Sequence, residues 1–574
     1  MKPIELYEQW LKDFADDPET LQDLRAIQDD PKEIEDRFYR DLEFGTAGMR
    51  GVLGAGTNRL NIYNVRRVTR ALAKYILTTP DGAQRGVAIG YDSRHKSDVF
   101  AKQAALVLCA AGVKVYLFES LRPVPVLSFT IRHLNCIAGI VITASHNPKQ
   151  YNGYKAYWSD GGQMPPESVK GITDRLPETT YAESQPMDEQ AALDAGLLAY
   201  IGKDVDDAYI AAVKKLSVNP ELAREMGETL KIVYTPLHGA GNIPVRRIFE
   251  EIGMKHVYVV PEQELPDGDF PTVKVPNPED PAAFALALEM QKALGADLCV
   301  GTDPDCDRVG VACMTDKGVR LLNGNQIGCI LLHYILSQKK QRGELPANAA
   351  AVTTIVSTDM ARAIAESYGC KMIEVLTGFK YIAEQIHRFE TTGCNTFMFG
   401  FEESFGYLSG TDVRDKDGVN ACMLIAEAAS WYKKMYNRTL VDAIDMLYEQ
   451  YGYYGDKVTS FVLPGKDGLE KMQSVMAALR ANPPRDFAGE KVVALRDYQT
   501  GVRTTDSGAA EALTLPKSNV LYFELENHAW ICVRPSGTEP KIKLYVNAVS
   551  NNAETTQAML TAYSDAAVAI LERF

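Results

Sequence analysis

The chain has 574 residues, too many for one hydrophobic core, so roughly three to four domains are expected. Its formal net charge of −14 argues against nonspecific binding to nucleic acid or anionic membranes, and its 46% hydrophobic content supplies ample core material. Ten scattered cysteines, several inside apolar runs and none in CxxC or finger spacing, suit reduced thiols and argue against a zinc finger.

The opening, Met1-Lys-Pro-Ile-Glu-Leu-Tyr-Glu-Gln-Trp10, carries acids where a signal peptide would carry an apolar core, and no run approaches a membrane span. A cytoplasmic chain is the expectation. Residues 1–40 pattern as acidic amphipathic helices. Phe44-Gly-Thr46-Ala-Gly48-Met-Arg50-Gly51 then offers backbone amides and one guanidinium, which suits an oxyanion.

From residue 86 a unit begins that recurs. Gly86-Val-Ala-Ile-Gly90 is a short strand leading into the loop Tyr91-Asp92-Ser93-Arg94-His95-Lys96. Ser97 is the expected N-cap of a helix reaching Ala111, Gly112 ends it, and a second strand follows over 113–118. The same order returns at 230–260 and again at 350–375, each time with Gly-x-Lys after the helix: Gly112/Lys114, Gly253/Lys255 and Gly369/Lys371. One such tripeptide is a helix stop with a polar neighbour; three in one frame are an internal repeat.

Each unit adds another helix and a third strand, and the three third strands end differently. The first, 136–143, runs into Ser145-His146-Asn147-Pro148; Asn-Pro forces a turn and leaves the Ser145 hydroxyl free at a strand end. Lys155, ten residues on, is close enough to fold back on it. The second ends in Asp303-Pro304-Asp305-Cys306-Asp307-Arg308. In an extended segment, alternate residues face one side, so three carboxylates converge and repel unless a cation sits among them; hard oxygen ligands suit Mg²⁺. An EF-hand fails, because its sixth position would be Arg308 and its twelfth Met314. An aspartyl-phosphate transferase of the haloacid-dehalogenase type expects Thr or Val where Asp307 stands.

The third strand ends in Glu402-Glu403-Ser404, carboxylates and a hydroxyl that suit sugar hydroxyls. Thr377-Gly378-Phe379-Lys380 and Arg414-Asp415-Lys416-Asp417 bring cations nearby in sequence. From about Tyr453 the pattern breaks into short strands and a closing helix over 553–574. Within that part, Arg534-Pro-Ser536-Gly537-Thr538 combines hydroxyls, amides around a glycine and a guanidinium, a phosphate-type nest.

Residues 143–148, 303–308, 400–406 and 534–540 resemble the phosphoserine, metal, sugar and phosphate loops of the α-D-phosphohexomutases, in the same order and across essentially the whole chain. The 44–51 stretch and the Phe-Glu-Glu-Ser-Phe-Gly wording are most similar to the phosphoglucomutase and phosphopentomutase branch; phosphomannomutases of this fold usually have Gly-Glu-Met-Ser there, and this chain places Phe401 between Gly400 and Glu402. The resemblance implies three repeated mixed α/β domains around a central cleft plus a smaller C-terminal α+β domain. Their expected bounds are 1–203 (phosphoserine, with an N-terminal helical extension), 204–322 (metal), 323–450 (sugar) and 451–574 (phosphate).

It further implies one Mg²⁺ per chain held by Asp303, Asp305, Asp307 and phosphorylated Ser145, with catalytic roles for Ser145, His146, Lys155 and Arg308. Substrate contacts fall to Arg50, Gly378, Lys380, Glu402, Ser404 and Lys416, and phosphate contacts to Arg534, Ser536, Gly537 and Thr538. The implied activity interconverts glucose 1-phosphate and glucose 6-phosphate, with glucose 1,6-bisphosphate as intermediate and activator; pentose or mannose phosphates are alternative substrates. Small sugar phosphates are the implied partners, without nucleic acid or membrane, and a monomer is favoured over an oligomer. A noncatalytic sugar-phosphate-binding protein is the alternative of another class, and the presence of Ser145, three aspartates and Arg534 together argues against it.

Overall fold

The computed structural model describes residues 1–573 except 46–47, 316–317, 464–467 and 537–540, and leaves the side chain of 469 undescribed. Two compact units result: residues 1–323, 383–397 and 404–439 form the first, and 324–382, 398–403 and 440–574 the second.

In the first unit the acidic start forms three helices, Pro3–Asp13, Pro18–Ala26 and Pro31–Phe38, each with proline at its first turn, where a missing N–H costs nothing. Trp10, Phe14 and Phe38 bury their apolar sides together. A six-stranded sheet follows, ordered Met49–Val52, Tyr151–Trp158, Ala138–Ile142, Val87–Tyr91, Val115–Phe118, Leu198–Ile201. Its last four strands are parallel, and Tyr151–Trp158 returns antiparallel. Ala138–Ile142 is buried at every position, as a continuous apolar run between helical layers requires.

The second sheet of this unit repeats the plan, with Leu298–Thr302 beside Lys231–Thr235 beside His256–Val259, all parallel, and Val309–Thr315 antiparallel at the other side. In the second unit Lys371–Val375 runs parallel to Ala349–Thr354, and Thr396–Glu402 is next in that sheet's order. In each repeat, therefore, the third strand lies beside the first and away from the second. The chain reverses its direction of progress across the sheet between strands one and three, which opens a crevice at their carboxyl ends.

The repeat is also legible atom by atom at the helix stops. Gly112, Gly253 and Gly369 all have positive φ (78°, 92° and 74°), and the residue after each donates its N–H five residues back, to Leu108, Phe249 and Ala365. This left-handed closure is what the recurring glycine provides. Ser97 differs from expectation: it is the first helical residue of Ser97–Ala110, after Lys96 at φ 66°, and its hydroxyl bonds to Asp92 without capping the helix.

The remainder of the second unit is an antiparallel sheet in the order Tyr453–Val462, Lys541–Ser550, Trp530–Pro535, Leu521–Leu525, Glu490–Asp497, Val502–Thr505, Ala510–Ala512. Helices Gly468–Ala481 and Ala553–Leu571 contribute Val475, Leu479, Leu560 and Tyr563 to its core. Among the described residues, no helix is long and apolar enough to cross a membrane.

Candidate active site

Ser145 follows strand Ala138–Ile142 at φ 51°, a left-handed conformation that costs a residue with a Cβ on the order of 1–2 kcal/mol. Thr143 stabilises the turn: its hydroxyl accepts the Ser145 N–H at 2.8 Å and donates to Asp92 at 2.6 Å. The hydroxyl of Ser145 is not free, as the sequence suggested. It is buried and donates to Asp303 Oδ2 at 2.7 Å, with His146 Nδ1 3.2 Å from the same oxygen.

Asp303, Asp305 and Asp307 are buried, and their ligand-type oxygens lie within 4.8 Å of one another. They converge for a different reason from the extended alternation expected. Residues 304–306 form a tight turn with Cys306 at φ 52° and its N–H on Asp303 O. Asp303 Oδ1 then accepts the N–H groups of Asp307 and Arg308 at 3.1 and 3.0 Å. The turn is braced from its own repeat and from the preceding one: Ala240 N–H donates to Pro304 O at 2.7 Å and Val124 N–H to Asp305 O at 3.0 Å.

Lys155 Nζ lies 2.7 Å from Asp305 and 3.1 Å from Asp307, and Lys416 Nζ lies 3.3 Å from Asp307 and 3.0 Å from Asp415. Lys416, expected at substrate, is thus placed against the carboxylate cluster. Burial and the neighbouring charges of Asp305 and Asp307 push the Asp303 carboxyl well above its usual range. Burial acts in the same direction on Asp307, but Lys155, Lys416 and Arg308 outweigh it and hold that group well below the carboxylate range. Burial would lower Lys155, yet Asp305 and Asp307 raise it, so it stays charged. Burial and the cations Arg308 and Arg50 push His146 well below the ordinary imidazole range, which keeps it neutral at neutral pH.

Asp305 Oδ1 and Asp307 Oδ1 are buried without a hydrogen-bond donor. Orphaned anionic oxygens in an all-carboxylate set are what a hard divalent cation satisfies, so the residues present fit one. Arg308 pairs with Glu279, and Arg50, on strand Met49–Val52, donates to Asn147 Oδ1 at 2.8 Å.

In the second unit Glu402 is the last residue of strand Thr396–Glu402, and it is buried. Burial and Glu402 push Glu403 up to about 7, against Lys543 and Arg534. Arg534 lies on strand Trp530–Pro535 in register with Lys543, and Ser536 N–H donates to Lys541 O at 2.8 Å. Gly537 and Thr538 lie outside the described residues. Gly378 has φ 122°, and Lys380, in the first turn of Phe379–Thr392, sits 4.8 Å over the Tyr381 ring. Ser404 belongs to the first unit.

Models of phosphoglucomutase/phosphomannomutase α/β/α domains I, II and III match residues 41–183, 207–317 and 323–451, and the model of the family's C-terminal domain matches 480–562. The chain belongs to the phosphoglucomutase/phosphomannomutase family. It is an enzyme, an intramolecular phosphotransferase. A phosphoglucomutase of Staphylococcus aureus is 36% identical over 535 residues, covering 92% of this chain and 94% of its own length. One of Staphylococcus epidermidis is 37% identical over 521 residues, covering 90% and 92%. The crystal structure of a phosphomannomutase homologue from Thermus thermophilus shares the fold with a TM-score of 0.68 at 24% identity, covering 93% of this chain and 99% of its own.

The loop 91–96 drew no role from the sequence, yet Asp92 and Arg94 are buried directly behind Ser145. The available signal was position: that loop ends the strand paired with Ala138–Ile142. Asp415, which accepts from Tyr157 at 2.9 Å beside Lys416, carried no such signal.

Proposed function

We propose that the chain is a phosphoglucomutase that interconverts glucose 1-phosphate and glucose 6-phosphate through a phosphate carried on Ser145 and a glucose 1,6-bisphosphate intermediate. The observation that carries this is the Ser145 hydroxyl donating to Asp303 at 2.7 Å, inside a buried cluster with two orphaned carboxylate oxygens. The glucose preference rests on the phosphoglucomutase relatives at 36–37% identity over nine-tenths of the chain.

Asp303, Asp305 and Asp307 would hold the cation, taken as one Mg²⁺ per chain. When bound, it supplies positive charge beside the phosphoryl oxygens. Phosphoryl transfer has a loose transition state, so the protein's work is positioning and charge compensation. A sugar hydroxyl oxygen attacks the phosphorus on Ser145; the bond from phosphorus to the serine oxygen breaks as the bond to the sugar oxygen forms. The hydroxyl proton must reach the departing Ser145 oxygen. His146, neutral and 3.2 Å from that oxygen, is better suited to relay it than Lys155, which is charged and held by two carboxylates. Lys155 and Arg308 serve instead as fixed positive charge. The bisphosphate then returns its other phosphate to Ser145 by the reverse steps. The family resemblance assigns the sugar to Arg50, Gly378, Lys380, Glu402, Ser404 and Lys416, and its standing phosphate to Arg534, Ser536, Gly537 and Thr538.

Ser145→Ala is expected to abolish turnover while keeping the parent's unfolding transition, and intact mass should lose the fraction heavier by one phosphate. Normal turnover in that variant refutes the phosphoserine route. Side-by-side kcat/KM should be highest for glucose 1-phosphate; a higher value for ribose 1-phosphate or mannose 1-phosphate replaces the sugar assignment.

A further inference from the structure

We propose that Arg94 is a positioning residue for phosphoryl transfer: one guanidinium gathers the carbonyls of the serine loop and thereby sets the direction of the Ser145 hydroxyl. The role rests on the mutase function proposed above. Arg94 Nη1 donates to Pro148 O at 3.0 Å and to Tyr151 O at 3.1 Å. Nη2 donates to Ser145 O and to Asn147 O. Four carbonyls from a stretch of seven residues point at one planar fork, whose side chain is wholly buried. Such a set turns the polar edge of the loop backbone inward, and it holds the left-handed Ser145 whose hydroxyl must point the other way, at Asp303.

The fork is itself held. Asp92 Oδ2 lies 3.4 Å from Arg94 Nε, and the same carboxylate accepts the Arg94 N–H, the Ser97 hydroxyl and the Thr143 hydroxyl. Over its outer side Phe270, 2% exposed, places its ring 5.0 Å from the guanidinium carbon. Phe270 comes from the second repeat, and its neighbour Asp269 lies 3.1 Å from Lys149 and 3.3 Å from His95, on either side of the same loop pair. Segment 265–273 thus fastens the serine loop to the repeat that carries the aspartates. Sheet order explains the meeting: Arg94 follows the first strand and Ser145 the third, and these two strands are neighbours across the crevice.

Lysine cannot replace this arrangement, since a point ammonium has no planar fork to reach four carbonyls. Arg94→Lys and Arg94→Ala should lower kcat for glucose 1-phosphate on the order of ten- to a hundredfold, the cost of misplacing a reacting atom, with KM within about twofold. Millimolar guanidinium ion should restore part of kcat in Arg94→Ala and leave Arg94→Lys and the parent unchanged. Phe270→Leu keeps the apolar cover, and should lower kcat several-fold with the unfolding transition unshifted; it carries the test if the Arg94 variants do not fold. Parent-like kcat in a folded Arg94 variant, loss confined to KM, or parent-like kcat in Phe270→Leu when neither Arg94 variant folds would each overturn the role. A parent without any mutase turnover overturns the proposed function and the role together, so the two failures are told apart by the parent's own rate.

Discussion

Lys155→Met offers the sharpest test of the charge balance at the carboxylate cluster. The lysine is 8% exposed and its ammonium sits 2.7 Å from Asp305 and 3.1 Å from Asp307, both buried. Methionine fills a similar volume but leaves Lys416 and Arg308 to oppose three carboxylates, with Arg308 already engaged by Glu279. Removing one partner of a buried ion pair costs about 3–5 kcal/mol, because the remaining charge stays buried and uncompensated. One oxygen on Asp305 and one on Asp307 already lack donors, so the cost belongs near the top of that range when no cation is present. A divalent cation occupying the cluster supplies the missing charge. Calorimetric unfolding should therefore show a drop of several degrees for Lys155→Met in EDTA and a clearly smaller one in excess Mg²⁺. Equal shifts in the two conditions would refute this charge balance among Asp303, Asp305 and Asp307.

Asp417 begins helix Gly418–Tyr436, accepts from Asn420 N–H at 2.9 Å and Tyr209 at 2.8 Å, and is pushed up to about 6 by burial against those two bonds. Because its folded value lies above the ordinary 3.8, the folded state binds the extra proton between about pH 4 and 6, and stability declines as pH rises through that window, by about 3 kcal/mol in the limit. Asp417→Asn keeps both acceptor bonds and cannot ionise, so its melting temperature should gain on the parent between pH 4.5 and 7.5; a constant difference counts against it. Gly239→Ala would place a Cβ 2.4 Å from Pro304 Cα, forcing the aspartate turn to move, and should cost about 1–3 kcal/mol and weaken Mg²⁺ activation, read as a higher Mg²⁺ requirement for turnover. Gly112→Ala meets nothing within 4 Å, so only its positive φ resists; about 1 kcal/mol of stability and no activity should be lost.

Local pattern carried much of this protein. The three glycines at helix stops, the apolar third strands and the polar loops that end them lie within single repeats, and each follows from the preferences of a few adjacent residues. Even so, neighbouring residues could mislead: Asp303, Asp305 and Asp307 alternate as an extended segment would, but Pro304 and Cys306 fold them into a turn. Ser145 and His146 were legible as a strand-end group, while the occupation of the serine hydroxyl by Asp303, 158 residues away, was not.

By itself, then, the sequence determined the repeat and the residue types that close each third strand, a serine, an acidic cluster and a Glu-Glu-Ser. Tertiary structure alone decided which of those loops meet. Arg94 reaches Ser145 across 51 residues because sheet order sets first and third strands side by side, and Lys155 reaches Asp305 across 150 because two separate sheets pack with those loops together; neither kind of pairing leaves a trace in local periodicity. The same holds for Ser145 itself. A serine after an apolar strand is a common turn; a serine in the left-handed region, gripped behind by Arg94 and aimed forward at Asp303, is an oxygen held in the place that the proposed phosphoryl transfer needs.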